Sequence, residues 1–222
     1  MKFLLTSAGV KNESIRNALV ELLGKPIADC DALCIPTAIY AFAGGTSAAW
    51  KLINGRASTP LCEVGWKSIG VLELTALPSI DRDVWLAALQ QADVLLVCGG
   101  DSLYLSHWVR ESGLLELLPS LGDKVWVGVS GGSMALGPDV GDDFLEWRPP
   151  SGEDKALGLV DFSIFPHLDH PDLPENSMAD AERWAARMNH AAYAIDDQTA
   201  IRVVDGEVDV ISEGNWRRFE SR

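Results

Sequence analysis

Apolar and polar positions along the chain fall into two rhythms. Short aliphatic, β-branched runs at residues 2–7, 31–38, 66–74, 92–98, 125–129 and 159–165 read as buried strands. Between them lie stretches that fit helices, at residues 12–23, 46–52, 81–91, 102–118, from 133 onward and 179–189. Asn12 is a plausible cap for the first helix, with Glu13 in its first turn and Gly24-Lys25-Pro26 as its stop. In 81–91, Asp81 is the candidate cap, and Val84, Leu86 and Leu89 are expected to point inward. Three short strands at 192–195, 200–204 and 208–211 read as a closing meander, the last two joined by the hairpin turn Asp205-Gly206. Strands separated by helices predict a mainly parallel sheet in a three-layer α/β sandwich. With no repeat, linker or low-complexity segment, residues 1–222 are expected to form one domain.

In such sheets reactive groups collect beyond the carboxyl ends of the strands. That rule selects residues 7–9, 99–102, 130–133 and the stretch after Phe165. The third loop follows the apolar run Val125-Trp126-Val127-Gly128-Val129, and Gly128-Val129-Ser130-Gly131-Gly132 fits the G-x-S-x-G nucleophile elbow. There a serine on a tight strand-to-helix turn exposes its hydroxyl, and the following N–H groups face an incoming carbonyl oxygen. Taken alone the match is also compatible with a structural turn and an incidental serine. Gly99-Gly100-Asp101-Ser102 closes another strand and opens a helix, so its bare N–H groups suit an anion or oxyanion; it also reads as a helix start capped by Asp101 or Ser102. No Walker sequence and no G-x-G-x-x-G after the first strand is present, which argues against a nucleotide phosphate site.

Composition narrows the class. Against 18 Lys and Arg stand 32 Asp and Glu, a formal net charge of -14, which disfavours nucleic acid and anionic membrane partners. No apolar run is long enough to span a membrane, and the first residues read as a strand rather than a signal peptide. Cys30, Cys34, Cys62 and Cys98 lack metal-site spacing and are expected to be buried free thiols in a reducing cytoplasm.

A serine nucleophile needs a base, and the chain has four histidines. His107 falls within a helix and His190 at a helix end, whereas His167 and His170 directly follow an apolar strand. His167 is favoured because it lies nearer the strand end, with His170 as the alternative. The orienting carboxylate is sought in Asp196-Asp197, between two short apolar strands, with Asp142 and Asp143 as alternatives. The order Ser, His, Asp differs from the Ser, Asp/Glu, His order of α/β-hydrolases.

Taken together, Thr6-Ser7-Ala8-Gly9, Cys98-Gly99-Gly100-Asp101-Ser102, Gly128-Val129-Ser130-Gly131-Gly132-Ser133, Phe165-Pro166-His167 and Ala194-Ile195-Asp196-Asp197-Gln198-Thr199-Ala200 resemble, in that order, the peptidase E family. These are aspartyl dipeptidases related to cyanophycinase, and the resemblance runs from Met1 to about Trp216. It implies a class I glutamine amidotransferase-like fold of flavodoxin-like topology, with serine in place of cysteine. It further implies Ser130 as nucleophile, His167 as base, Asp197 as the orienting acid and Gly100 and Gly131 as oxyanion-hole amides. No metal or organic cofactor is implied.

Three departures stand out. Relatives usually read Ser-Ala-Gly at the elbow, so Gly131 is expected to loosen the turn. Asp197 stands where relatives have glutamate, which leaves its contact with His167 about one methylene short unless the backbone moves inward. The arginine that grips a substrate aspartate aligns with Glu182, one place before Arg183, and Glu182 is expected to face the cleft. Glu182, Arg183, Asp101 and Ser133 are the candidate substrate contacts. The expectation is a cytoplasmic serine peptidase acting on small peptides, as a monomer or homodimer, with doubtful aspartyl preference; the alternatives are an amidase and a non-catalytic metabolite-binding module.

Overall fold

The computed structural model describes residues 1–221 except Leu145, Ser151, Glu153 and Asp154. Its strands are β1 (Lys2–Thr6), β2 (Asp31–Ile35), β3 (Ser68–Val71), β4 (Val94–Val97), β5 (Val125–Val129), β6 (Phe162–Phe165), β7 (Ala191–Ile195), β8 (Thr199–Val204), β9 (Glu207–Ser212) and β10 (Trp216–Phe219). The helices are α1 (Glu13–Leu23), α2 (Gly45–Ile53), α3 (Arg82–Gln91), α4 (Ser102–Glu111), α5 (Leu114–Leu117), α6 (Gly131–Met134) and α7 (Met178–Ala185).

Seven strands form one sheet in the order β3-β2-β4-β5-β1-β8-β9, parallel from β3 to β1 and antiparallel beyond, with helices on both sides. The segment β3-β2-β4-β5 follows the 2-1-3-4 order of flavodoxin-like sheets, with β1 in the fifth place. Every residue of β4 and β5 is buried, as their unbroken apolar sequences require of strands covered on both faces. Trp126 is fully buried in β5, and its indole N–H donates to Gly132 O at 3.1 Å, tying the strand to the turn that follows.

Local signals explain most boundaries. Asn12 accepts from the Ile15 N–H at 2.9 Å and Gly24 closes α1 at φ 69°. Asp205 and Gly206, at φ 50° and 84°, make the tight turn between β8 and β9. The strand expected at 31–38 ends at Ile35, because Pro36 starts a 3-10 turn over Thr37–Ala41. The helix expected at 102–118 divides at Gly113, whose φ of 75° is left-handed.

Two expectations are corrected. Val84 does not point inward: it is 69% exposed, and Trp85 fills the core beside Leu89, which is buried as expected. Nor do the last strands form one meander. β7 leaves the main sheet and pairs with β6 and β10 in a three-stranded sheet of its own. Short strands of matching alternation carry no label for the sheet they join, so this choice is made by long-range pairing.

Candidate active site

Three neighbouring strands of the main sheet, β4, β5 and β1, end side by side and deliver Gly99-Gly100, Ser130 and Ser7 to one place. Asp197 precedes β8, which runs antiparallel to β1 and so begins at that same edge. β6, from the small sheet, ends in Pro166-His167 and supplies the imidazole.

Ser130 sits at φ 48° and ψ -114°, a backbone conformation that costs a non-glycine residue about 1–3 kcal/mol and persists only where the surroundings enforce it. Here they do. The Ser130 N–H donates to Thr6 O at 3.0 Å, and Ser130 O accepts from the N–H groups of Ser133 and Met134 at 2.8 and 2.9 Å. The glycines permit the close packing that results. A Cβ at Gly128 would lie 2.7 Å from Gly132 O, and one at Gly132 would lie 2.5 Å from Val97 O. A Cβ at Gly131 would lie 2.0 Å from Gly100 O. Gly131 therefore does not loosen the turn, as its sequence suggests; it lets the Gly100 loop close onto the elbow. Among the described residues, the N–H groups of Gly100 and Gly131 donate to no other protein group.

His167 Nε2 lies 3.0 Å from Ser130 Oγ, and His167 Nδ1 lies 2.7 Å from Asp197 Oδ1. The short side chain of Asp197 thus reaches the ring in full. The His167 backbone, at φ 55°, is strapped in place because its N–H donates to Ser7 Oγ at 2.8 Å. Ser7 Oγ in turn donates to Asp197 Oδ1 at 3.0 Å. Ser7 therefore links the His167 backbone to the Asp197 carboxylate, a contact that the sequence reading, which selected the loop at residues 7–9, did not specify. The signal was the position of Ser7 one residue beyond a strand that borders the elbow strand.

Burial works against the charge on Asp197. The hydrogen bond and positive end of His167, the Ser7 hydroxyl and the charge of His170 outweigh it and hold the carboxyl below its usual pKa. Such a group adds stability above its unfolded pKa of about 3.9 and loses it as the pH falls through the lower folded value. We therefore expect the stability gap between wild type and Asp197→Asn, measured by urea unfolding, to be largest near neutrality and smaller at pH 3. A gap of equal size at both values would show that the carboxylate charge contributes nothing.

The other candidates are placed as follows. His170 Nε2 is 3.7 Å from Asp197 Oδ2, on the far side of the carboxylate, and its Nδ1 accepts from the Asp172 N–H at 3.1 Å. Asp196 is consumed by the turn: it accepts from the Gln198 N–H and from Thr199 Oγ1 at 3.0 and 2.7 Å. Asp143 is ion-paired with Arg187. Two candidate substrate contacts are buried and engaged elsewhere. Ser133 is buried and donates to Thr6 O at 2.8 Å, fastening the elbow to β1. Asp101 is buried and caps α4, with its carboxylate oxygens accepting from the N–H groups of Tyr104 and Trp147, both at 2.8 Å.

A correction concerns Glu182. It faces away from the cleft and pairs with Arg217 of β10. Successive helical residues turn by about 100°, so this rotation brings Arg183 toward the cleft side. There it pairs with Asp180 and lines a cavity of about 300 Å³ with Asp143, Glu175 and Arg187.

Two cavities flank Ser130 and share it with Gly100 and His167. One, of about 540 Å³, is walled by Ile39, Phe42, Leu52, Leu61 and Val129, with Lys51 and Arg56 among its lining residues. The other, of about 310 Å³, is bordered by Asp101, Asp143, Glu146 and Glu175. A hydroxyl, an imidazole and a carboxylate hydrogen-bonded in series, beside free N–H groups and open space, can carry out acyl transfer without a metal.

A family model described as peptidase family S51 matches residues 3–211. The chain belongs to this family. Peptidase E of Streptomyces coelicolor is 37% identical over 141 residues, 61% of this chain and 52% of that protein. Uncharacterized peptidase PM1590 of Pasteurella multocida is 24% identical over 125 residues, 51% of this chain and 60% of that protein. These matches thus span between half and two thirds of the curated relatives' length. Two solved structures share the fold of this S51 chain. One, from Listeria monocytogenes EGD-e and named as a candidate peptidase E, has a TM-score of 0.66 at 18% identity and covers 96% of this chain and 98% of its own. The other, a peptidase from an acI-B1 Actinobacterium, has a TM-score of 0.65 at 17% identity and covers 99% and 94%. Among the described residues, no helix is long and apolar enough to cross a membrane, and all four cysteines are free and buried.

Proposed function

We propose that this S51 chain is a serine peptidase that hydrolyses short peptides through an acyl-enzyme on Ser130. The observation that carries the reading is the series Ser130–His167–Asp197, at 3.0 and 2.7 Å, built on a strained elbow serine. Ser130 Oγ attacks the peptide carbonyl while His167 Nε2 takes its proton and passes it to the departing amine. The C–N bond breaks, leaving an ester on Ser130. Water, deprotonated by the same imidazole, then hydrolyses that ester and restores the serine. Asp197 keeps the proton of the neutral ring on Nδ1, so Nε2 is free to accept, and it stabilises the imidazolium. The N–H groups of Gly100 and Gly131 hold the oxyanion; one such donor is worth about 3 kcal/mol of transition-state stabilisation. A fluorophosphonate probe should label wild-type protein and leave Ser130→Ala unlabelled. Equal labelling of the two would overturn the assignment of the nucleophile.

The acid-bordered cavity bears on which peptides are cut. A substrate carboxylate there would meet Glu146 and Glu175, neither ion-paired among the described residues, while Arg183 and Arg187 beyond them are engaged by Asp180 and Asp143. Like charges in a partly desolvated site repel. We expect kcat/KM for Ala-Leu and Lys-Leu to exceed that for Asp-Leu by about tenfold or more. If Asp-Leu is the best of the three, and Arg183→Ala alone removes that preference, an Arg183 released from Asp180 reads the substrate side chain.

A further inference from the structure

We propose that the cavity of about 540 Å³ is a carboxylate subsite, in which Lys51 and Arg56 hold an anionic end of the substrate while Ser130 attacks the adjacent peptide bond. The proposal rests on the peptidase reading of Ser130 and deepens it. In a chain of net charge -14, this cavity has no Asp or Glu in its lining. It has two cations, set at the end of α2 and in the turn that follows. Neither is ion-paired among the described residues, whereas Arg183, Arg187, Arg202, Arg217 and Arg218 are. The Arg56 guanidinium stacks over the Trp50 ring at 5.2 Å, which restricts its side chain without neutralising it. Ser58 and Thr59 add hydroxyls, and the apolar wall of Leu52, Leu61 and Val129 accepts an aliphatic side chain.

The charge on the opposite side of Ser130 favours a terminal carboxylate as the anion. Glu146 and Glu175 border the other cavity and suit a free α-ammonium. A short peptide laid across Ser130 with its amino end in the acidic cavity and its carboxyl end at Lys51 and Arg56 satisfies both charges. The leaving amine then departs on the cationic side, and His167, which borders both cavities, can reach it. A long chain has neither terminus at these distances from its interior bonds, so the arrangement selects small substrates.

The test compares Ala-Leu with its C-terminal amide, and both with Asp-Leu amide, on wild type, Lys51→Met, Arg56→Met and the double variant. The pair Lys51→Arg and Arg56→Lys serves as a charge-keeping control. We expect KM for Ala-Leu to rise about tenfold in each methionine variant and about a hundredfold in the double variant, with the charge-keeping variants close to wild type. The amide of Ala-Leu should show no matching rise. A rise for Asp-Leu amide instead would assign the subsite to a side-chain carboxylate. Equal changes for the acid and the amide, or no change, would overturn the proposal. Calorimetric binding of Ala-Leu to Ser130→Ala, with and without the Lys51 and Arg56 substitutions, separates this outcome from failure of the peptidase reading. Charge-dependent binding in a chain that hydrolyses no peptide would keep the subsite and remove the peptidase. Charge-independent binding would remove the subsite.

Discussion

Ser130→Ala is expected to abolish peptide hydrolysis, with a loss on the order of 10⁶-fold in kcat, while stability changes by about 0.5 kcal/mol or less. The two effects separate because the substitution removes one hydroxyl and keeps the Cβ. Alanine meets the same backbone penalty at φ 48°, and the bonds that enforce the elbow belong to the backbone of residue 130 rather than to its side chain. What disappears is the atom 3.0 Å from His167 Nε2. The measurements are turnover of Ala-Leu and urea unfolding on the same preparation. Substantial activity in the purified variant would sink the serine-peptidase reading. A large fall in stability would mean that the hydroxyl supports the fold.

The second large effect separates two histidines three residues apart. His167→Gln should cost several orders of magnitude in kcat, whereas His170→Gln should cost less than about tenfold. His167 bridges Ser130 and Asp197, and glutamine cannot take and return the proton. His170 reaches only the outer oxygen of Asp197, at 3.7 Å, so its loss alters how that carboxylate is held rather than the proton path. Steady-state kinetics on one peptide suffices. The reverse ranking would transfer the base to His170 and require the loop after β6 to reorganise on binding substrate.

For this chain, pattern alone carried the local elements and a short set of candidate reactive groups. Buried strands of unbroken apolar sequence, capped helices and glycine-marked turns are encoded within a few residues, because the hydrogen bonds and steric limits that produce them are local. Ser130, His167 and the Asp196-Asp197 pair became candidates because polar residues beside apolar strands sit at the edge where a parallel sheet gathers its chemistry, and the choice of Asp197 came from the family resemblance. The tertiary structure decided the rest. Which sheet β7 joins, and which face of α7 meets the cleft, depend on partners far along the chain: Arg217 of β10 draws Glu182 away and leaves Arg183 toward the cavity. Ser7 enters the site because β1 lies next to β5 in the sheet, although the two are more than a hundred residues apart in sequence. Asp197 reaches His167 with a side chain that looks a methylene too short, since the turn before β8 brings its backbone close enough. Gly131 reads as slack from sequence and proves to be the contact that admits Gly100, because only packing shows what a Cβ would strike.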